Sequence, residues 1–309
     1  MKLNARGGIS ILELFIYFPS IVAAVFICSR HGFNRSSGWI FTLILCLIRI
    51  IGACCQLATY HDQSQGLLEA ALILDFVGLS PLLLATVGLL ARCVDSINQH
   101  SSIILHALHF RAVQLVITIG LILSIVGGTN SISSTGAYKT QTTSKAGVVL
   151  FIIAYVALVL ITALTTLNLS TAEAGEKRLD FAIILALPFI LVRLAYSALA
   201  VFSHHHEFKV VGGSVAIQAI MSVLMEFIVV FIYLLIGLKT EAKPVARQGP
   251  ISTRPWNGQF AGAAKGARRQ RQRPIRGLVG LAISAVHPEG QDAGQGRGVP
   301  NMVATHPRH

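Results

Sequence analysis

Six ionisable residues sit inside stretches that are otherwise apolar: Glu13, Arg49, Glu69, Asp75, Arg193 and Glu226. Carboxylates and guanidiniums in such surroundings can lock helices together as ion pairs, bind a polar ligand, or line the path of an ion. Arg49, in LCLIRIIGACC (45–55), is the most demanding of the six, because a guanidinium keeps its charge in a protein. Exposed to lipid near the bilayer centre it would cost about 2.5–3.5 kcal/mol on insertion scales, so it must face protein.

Helical spacing says which way these residues point. Around Glu13 the neighbours on the same face are Ser10, Tyr17, Ser20 and Ala24; around Arg49 they include Gly52, Ala53 and Gln56. Ala71 and Gly78 flank Asp75, Ser197, Ala200 and His204 follow Arg193, and Ala219, Ser222 and Tyr233 flank Glu226. Small and hydrogen-bonding residues mark helix–helix contact in membranes, so five helices are predicted to turn a polar stripe toward a shared interior. Depth and order along the chain predict the pairs Arg49–Asp75 and Arg193–Glu226. Two readings of that interior stay open, interhelical locks or a ligand cavity or ion path, and Glu13 and Glu69 in the outer parts of their helices favour a water-accessible pocket that opens outward.

Other chemistries are poorly represented. His204, His205 and His206, with His61, Asp62 and Glu207, fall on the same side, but consecutive histidines diverge and no HxxxH or HExxH spacing aligns two ligands; no metal site is predicted. There is no GxSxG, no Cys/His pairing with an orienting acid and no phosphate-cradling glycine loop, so no enzyme and no cofactor is expected. Cys28, Cys46, Cys54, Cys55 and Cys93 lie within or at the ends of apolar stretches, without a disulfide framework. Cys28 and Cys93 are at helix ends where palmitoylation is chemically allowed, but small buried apolar residues is the preferred reading. Ser80, before Pro81, signals local helix distortion rather than a nucleophile, and Pro188 a kink.

The elements that must position the six charges follow from composition. With 53% hydrophobic and 12% charged residues and a mean hydropathy of +0.67, the chain is outside the range of soluble domains. Seven stretches are long enough to cross about 30 Å of hydrocarbon: 9–28, 38–58, 67–91, 112–128, 146–168, 181–203 and 214–238. The expected fold is an all-α seven-transmembrane-helix bundle, since a lone span must satisfy its own backbone. The first stretch carries Glu13 and is longer than a signal-peptide core, so it is read as a retained helix. Arg30, Arg35, Arg92, Arg111, Lys177, Arg178 and the start of the tail outnumber Lys2, Arg6, Lys139, Lys145 and Lys209, which predicts the N-terminus outside and the C-terminus cytoplasmic. The Ser/Thr-rich connection 128–145 then faces outward. The expected localisation is a multi-pass integral protein of the plasma membrane or an endomembrane.

Residues 239–309 are of another kind. They hold twelve Lys/Arg against three Asp/Glu, so this stretch carries +9 of the formal +12. Gly, Pro, Gln and Arg dominate it, which predicts a disordered, basic, low-complexity cytoplasmic tail over 241–309. KGARRQRQRPIR (265–276) has no interleaved aromatics, so anionic lipid, rather than nucleic acid, is its expected partner.

ELFIYFPS (13–20), RHGFNRSSGW (30–39) with Arg49 and Gly52, and GLSPLLLATVGLLAR (78–92) resemble a group of fungal seven-helix integral membrane proteins with no assigned activity. The resemblance covers about residues 9–240 and implies a seven-helix fold without supplying a ligand or a reaction. A wider likeness to fungal receptor-like and lipid-responsive seven-helix proteins is one of architecture. The marks of rhodopsin-like receptors are missing: the third helix ends Ala91-Arg92-Cys93-Val94-Asp95 and the seventh lacks Asn-Pro-x-x-Tyr, which argues against G-protein coupling. The functional expectation is a non-enzymatic receptor-like sensor of a small or lipid-like ligand. The alternative is a transporter or channel that uses the buried charges; an odd span count without visible internal repeats weakens it.

Overall fold

The computed structural model describes residues 5–31, 37–62, 64–100, 106–129, 141–168, 174–203 and 214–240. The basic stretch 241–309, the histidines 204–206, Glu207 and most of 128–145 lie outside them. The described residues are all-helical: α1 (Ala5–His31), α2 (Ser37–Ala58), α3 (Gln65–Val77), α4 (Leu79–His100), α5 (Ala107–Thr129), α6 (Thr142–Leu167), α7 (Ala174–Phe202), α8 (Val215–Gln218), a π-helical segment (Ala219–Leu224) and α9 (Met225–Lys239). Seven spans are long and apolar enough to cross a membrane, with α3–α4 and α8–π–α9 each forming one. The chain is a seven-helix, multi-pass integral membrane protein.

The predicted spans 38–58 and 214–238 match to within one residue, whereas the other five run several residues past at least one predicted limit, because polar residues at the ends continue the helix. The predicted 112–128 starts at Ala107 and is not short, and the third span continues through Arg92 and Asp95 to His100, so Arg92 is helical rather than a loop charge. That third span is also interrupted. Pro81 cannot donate to the carbonyl of Val77, and the ring clashes there; the Ser80 hydroxyl takes that acceptor instead, at 3.0 Å, and the helix breaks at Gly78.

Lipid and core divide the helices by face. On α1, Ile11, Phe15, Phe18, Val22 and Phe26 are exposed, and the buried face is Gly7, Ser10, Glu13, Tyr17, Ser20, Ala24, Ile27 and Cys28, the polar stripe that its spacing predicts. The exposed aliphatics are what a bilayer would cover. α4 occupies the centre, packed on α2, α5, α6 and α7, with Gly78 to Ala91 buried without a break. It is apolar on all sides because every side meets protein.

Candidate functional site

Five of the seven spans each deliver one charge to a single point. Arg49 of α2 is its centre. Its Nη1 donates to Asp75 Oδ1 of α3 at 2.9 Å, its Nε to Glu226 Oε1 of α9 at 2.5 Å, and its Nη2 to Glu226 Oε2. Glu13 of α1 lies farther off, with Oε1 3.5 Å from Arg49 Nη1. Arg193 of α7 closes the opposite side: its Nε points to Glu226 Oε2 at 3.4 Å, its Nη1 donates to Ser197 Oγ at 2.7 Å, and its Nη2 to the backbone carbonyl of Asp75 at 2.8 Å. Asp75 also receives Gln218 Nε2 at 3.3 Å and the Ser222 hydroxyl at 3.5 Å.

Four of these groups are buried, and the Asp75 side chain is 16% exposed. Glu226 is 0% exposed, Arg193 1%, Arg49 4% and Glu13 8%. Burial of that kind is tolerable only when each charge has several well-aligned partners, and the forked geometry of guanidinium supplies them. Gly78, at the helix break, makes the room: a Cβ there would stand 3.2 Å from Arg49 Nη2.

The predicted pairs are therefore present but incomplete. Arg49 meets Asp75 as expected, yet its two-point partner is Glu226 from the far end of the chain, and Glu226 is shared by both arginines. One five-residue network replaces two pairs, since a guanidinium has five N–H donors and can serve three carboxylates at once. Glu69 does not join it: among the described residues it has no ion pair with the network. Six residues from Asp75 on a helix is about 240° round the axis, a different face. Gln218 is a partner that sequence reasoning missed. In a regular α-helix it would sit about 80° from Glu226; the wider π turns between them alter that phase.

A cavity of about 60 Å³ opens in front of the network, lined by Arg6, Ser10, Glu13, Arg49, Gln56, Asp75 and Gln218 among others. At roughly 15 Å³ per water it has room for about four waters, well below the several hundred Å³ typical of an organic ligand's pocket. It lies toward the face from which α1 starts. Toward the other face the bundle is closed by Tyr17, Leu45, Cys46, Leu82, Leu83, Val229, Val230 and Tyr233, all 1% exposed or less. In that layer the Thr86 hydroxyl donates to Leu82 O at 2.9 Å, so Tyr233 must be the donor in the 2.8 Å contact between their hydroxyls.

Three of the helices that carry charges end together on that other face. Arg30 Nη1 of α1 donates to the carbonyl of Leu238 at 3.0 Å, and His31 Nε2 donates to that of Gly237 at 3.2 Å. Arg92 Nη1 approaches His31 Nδ1 at 3.5 Å. The His31 ring packs on Trp39 of α2, with centroids 5.7 Å apart. Basic side chains thus satisfy the last carbonyls of α9, where the helix dipole also favours them.

Elsewhere, Asp62 accepts from Ser64 N at 3.1 Å in the turn that precedes α3, and no group of three metal-ligating side chains occurs among the described residues. Cys28, Cys46 and Cys93 are buried, whereas Cys54 is exposed.

No curated protein sequence matches the chain. Among solved structures it is similar to the crystal structure of Exiguobacterium sibiricum rhodopsin, with 14% identity over 74% of this chain and 93% of that one, at a TM-score of 0.40. Residues 3–243, which include every span and the whole charge network, match the family described as domain of unknown function DUF7702, and the chain belongs to that family.

Proposed function

We propose that this protein is a non-enzymatic, receptor-like sensor of a small ligand, taken up from the N-terminal face, which faces outward. The observation that carries the reading is that α1, α2 and α9 each run from the charge network to the cluster on the other face. Along them Glu13 is about 27 Å from His31, Arg49 about 15 Å from Trp39, and Glu226 about 16 Å from Gly237, at 1.5 Å per residue. A shift of charge in the network loads three helices whose far ends are tied to each other. The closed layer between the two sites fits transmission of a signal rather than passage of a solute, and the small cavity fits a small ligand better than a lipid-like one.

A second reading, a transporter or channel, is favoured by one observation: the break at Gly78 and the π-helical segment both interrupt spans beside the charges, as discontinuous helices do in many transporters.

Trp39 offers the test, as one of two tryptophans in the chain. With Trp256→Phe, its emission is recorded in reconstituted vesicles while small monovalent ions and amines are varied on one side, and flux of the same species is measured in parallel. A sensor changes Trp39 emission without net flux. Net flux down a gradient supports the transporter reading, and constant emission with every probe overturns the sensor.

A further inference from the structure

Where α6 ends and α7 begins, on the face where α9 also ends, a carboxyl group is buried with little to hold it. Asp180, in the second turn of α7, is 0% exposed. Its Oδ2 lies 3.1 Å from the Thr166 hydroxyl of α6, and its Oδ1 is buried without a hydrogen-bond partner among the described residues. On the elements packed against α7, the described titratable side chains at this end are Arg92, Cys93 and Asp95 of α4 and Lys239 of α9; α7 itself adds Lys177 and Arg178. None of them offsets the burial of Asp180, which has Thr166 as its one polar contact. In the charge network, by contrast, every carboxylate has a guanidinium within 3.5 Å.

The hydroxyl hydrogens beside it are already used. Thr162, Thr165 and Thr166 each donate to the carbonyl four residues back, at 2.8, 2.8 and 2.9 Å. A threonine hydroxyl has one hydrogen, and the Thr162 carbonyl is nearer to it than Asp180 Oδ2 is. With the hydrogen placed there, the 3.1 Å contact sets lone pair against lone pair unless Asp180 brings a hydrogen of its own. Ionised, Asp180 would be a buried charge with at most one hydrogen bond and no counter-ion among the described residues. A group so placed is neutralised rather than held as a charge.

We infer that Asp180 is a proton-binding site on the face opposite the cavity, and that its proton ties α7 to α6. Oδ2–H donates to Thr166 Oγ1, which keeps its own hydrogen on the Thr162 carbonyl. Oδ1 is then a neutral carbonyl oxygen, less costly to leave unpaired than one of a carboxylate. Release of the proton to water on that face leaves a charge that must be hydrated, so the first two turns of α7 part from α6. The way to solvent is short: Asp180 is about 9 Å from the first residue of α7 at 1.5 Å per residue, and Lys177 and Arg178 between them are exposed. The inference stands apart from the sensor reading, since it concerns other residues on another face and its readouts need no ligand.

The full chain in lipid nanodiscs is titrated from mildly acid to alkaline pH by infrared difference spectroscopy. Asp180→Asn is the comparison, because its amide donates to Thr166 as the protonated acid does and has no proton to lose. A protonated-carboxyl band present at neutral pH in the wild type is lost in Asp180→Asn. Folding favours the protonated form here, so the contribution of Asp180 to stability is greatest at acid pH and falls as pH rises, until the folded bundle has lost the proton. Asp180→Asn lacks that part of the fall, and its unfolding temperature passes above that of the wild type at alkaline pH. A carboxyl spectrum unchanged in Asp180→Asn, or an unfolding temperature that falls with pH as steeply in the variant as in the wild type, overturns the proposal. Should Asp180→Asn fail to fold, Thr166→Val decides: without the hydroxyl that accepts it, the carboxyl proton loses its hydrogen bond and the band moves. A wild type without the band, or a band that Thr166→Val leaves in place, also overturns the proposal.

Discussion

The α5–α6 seam and the five-helix charge network hold helices together in opposite ways. Between Val113 and Thr129 of α5, and between Ala146 and Leu167 of α6, there is no charged residue. Gly120, Gly127 and Gly147 bring the backbones close, with Ser124 and Ser144 filling the gaps: a Cβ on Gly147 would lie 2.9 Å from the carbonyl of Gly120. Leu115, Ile119, Ile122 and Val126 cover the side left to lipid. Small-residue packing of this kind is sufficient for association in a bilayer. The charge network carries a desolvation cost that the packing of small residues avoids.

The largest test of that contrast breaks one partner of the central pair. Arg49→Leu or Glu226→Leu alone leaves buried charge unmatched and lowers stability by about 3–5 kcal/mol, read as a fall in unfolding temperature in detergent. The double variant loses less than the two single losses combined, because both charges go together; strictly additive losses would mean that the two residues do not interact. A smaller effect is expected at the seam, where Gly147→Ala forces a methyl against backbone and costs about 1–3 kcal/mol. Its loss adds to that of Glu226→Leu, and coupling between the two would merge the regions contrasted above. The smallest effect is at the C-terminal stretch. A chain ending at Arg247 unfolds at the wild-type temperature and loses only affinity for anionic vesicles, about 1 kcal/mol per basic residue near the surface; a lower unfolding temperature would make residues 248–309 part of the folded unit.

The faces of the helices were legible in the sequence because 3.6-residue periodicity is a local property. Ser10, Glu13, Tyr17, Ser20 and Ala24 are the buried side of α1 in sequence and in structure alike. Which helix lies beside which is not local. Arg49 was paired with Asp75 on the next span, while its two-point contact with Glu226 depends on α9 packing back against α2, 177 residues away. The π-helical turns that alter the phase of Gln218 have no sequence mark in AIMSVL. Glu69 misled because residue type was read without its angle from Asp75. Arg30 and Arg92 read as topology charges at helix ends; in the structure Arg30 also binds the end of α9, and Arg92 approaches His31, which binds it too.

That end of α9 has a further consequence. Thr240, whose hydroxyl donates to the carbonyl of Ile236 at 2.6 Å, is where the bundle hands over to the basic stretch, one residue past the helix and two past the carbonyl that Arg30 grips. If ligand binding in the cavity alters how firmly those carbonyls are held, thermodynamic reciprocity requires the converse: anything that pulls on the chain beyond Thr240 alters the affinity of the cavity by the same factor. An anionic membrane or a protein docking on the basic stretch would then be an effector of ligand binding as well as its recipient, and the two faces of the bundle would have equal standing as input.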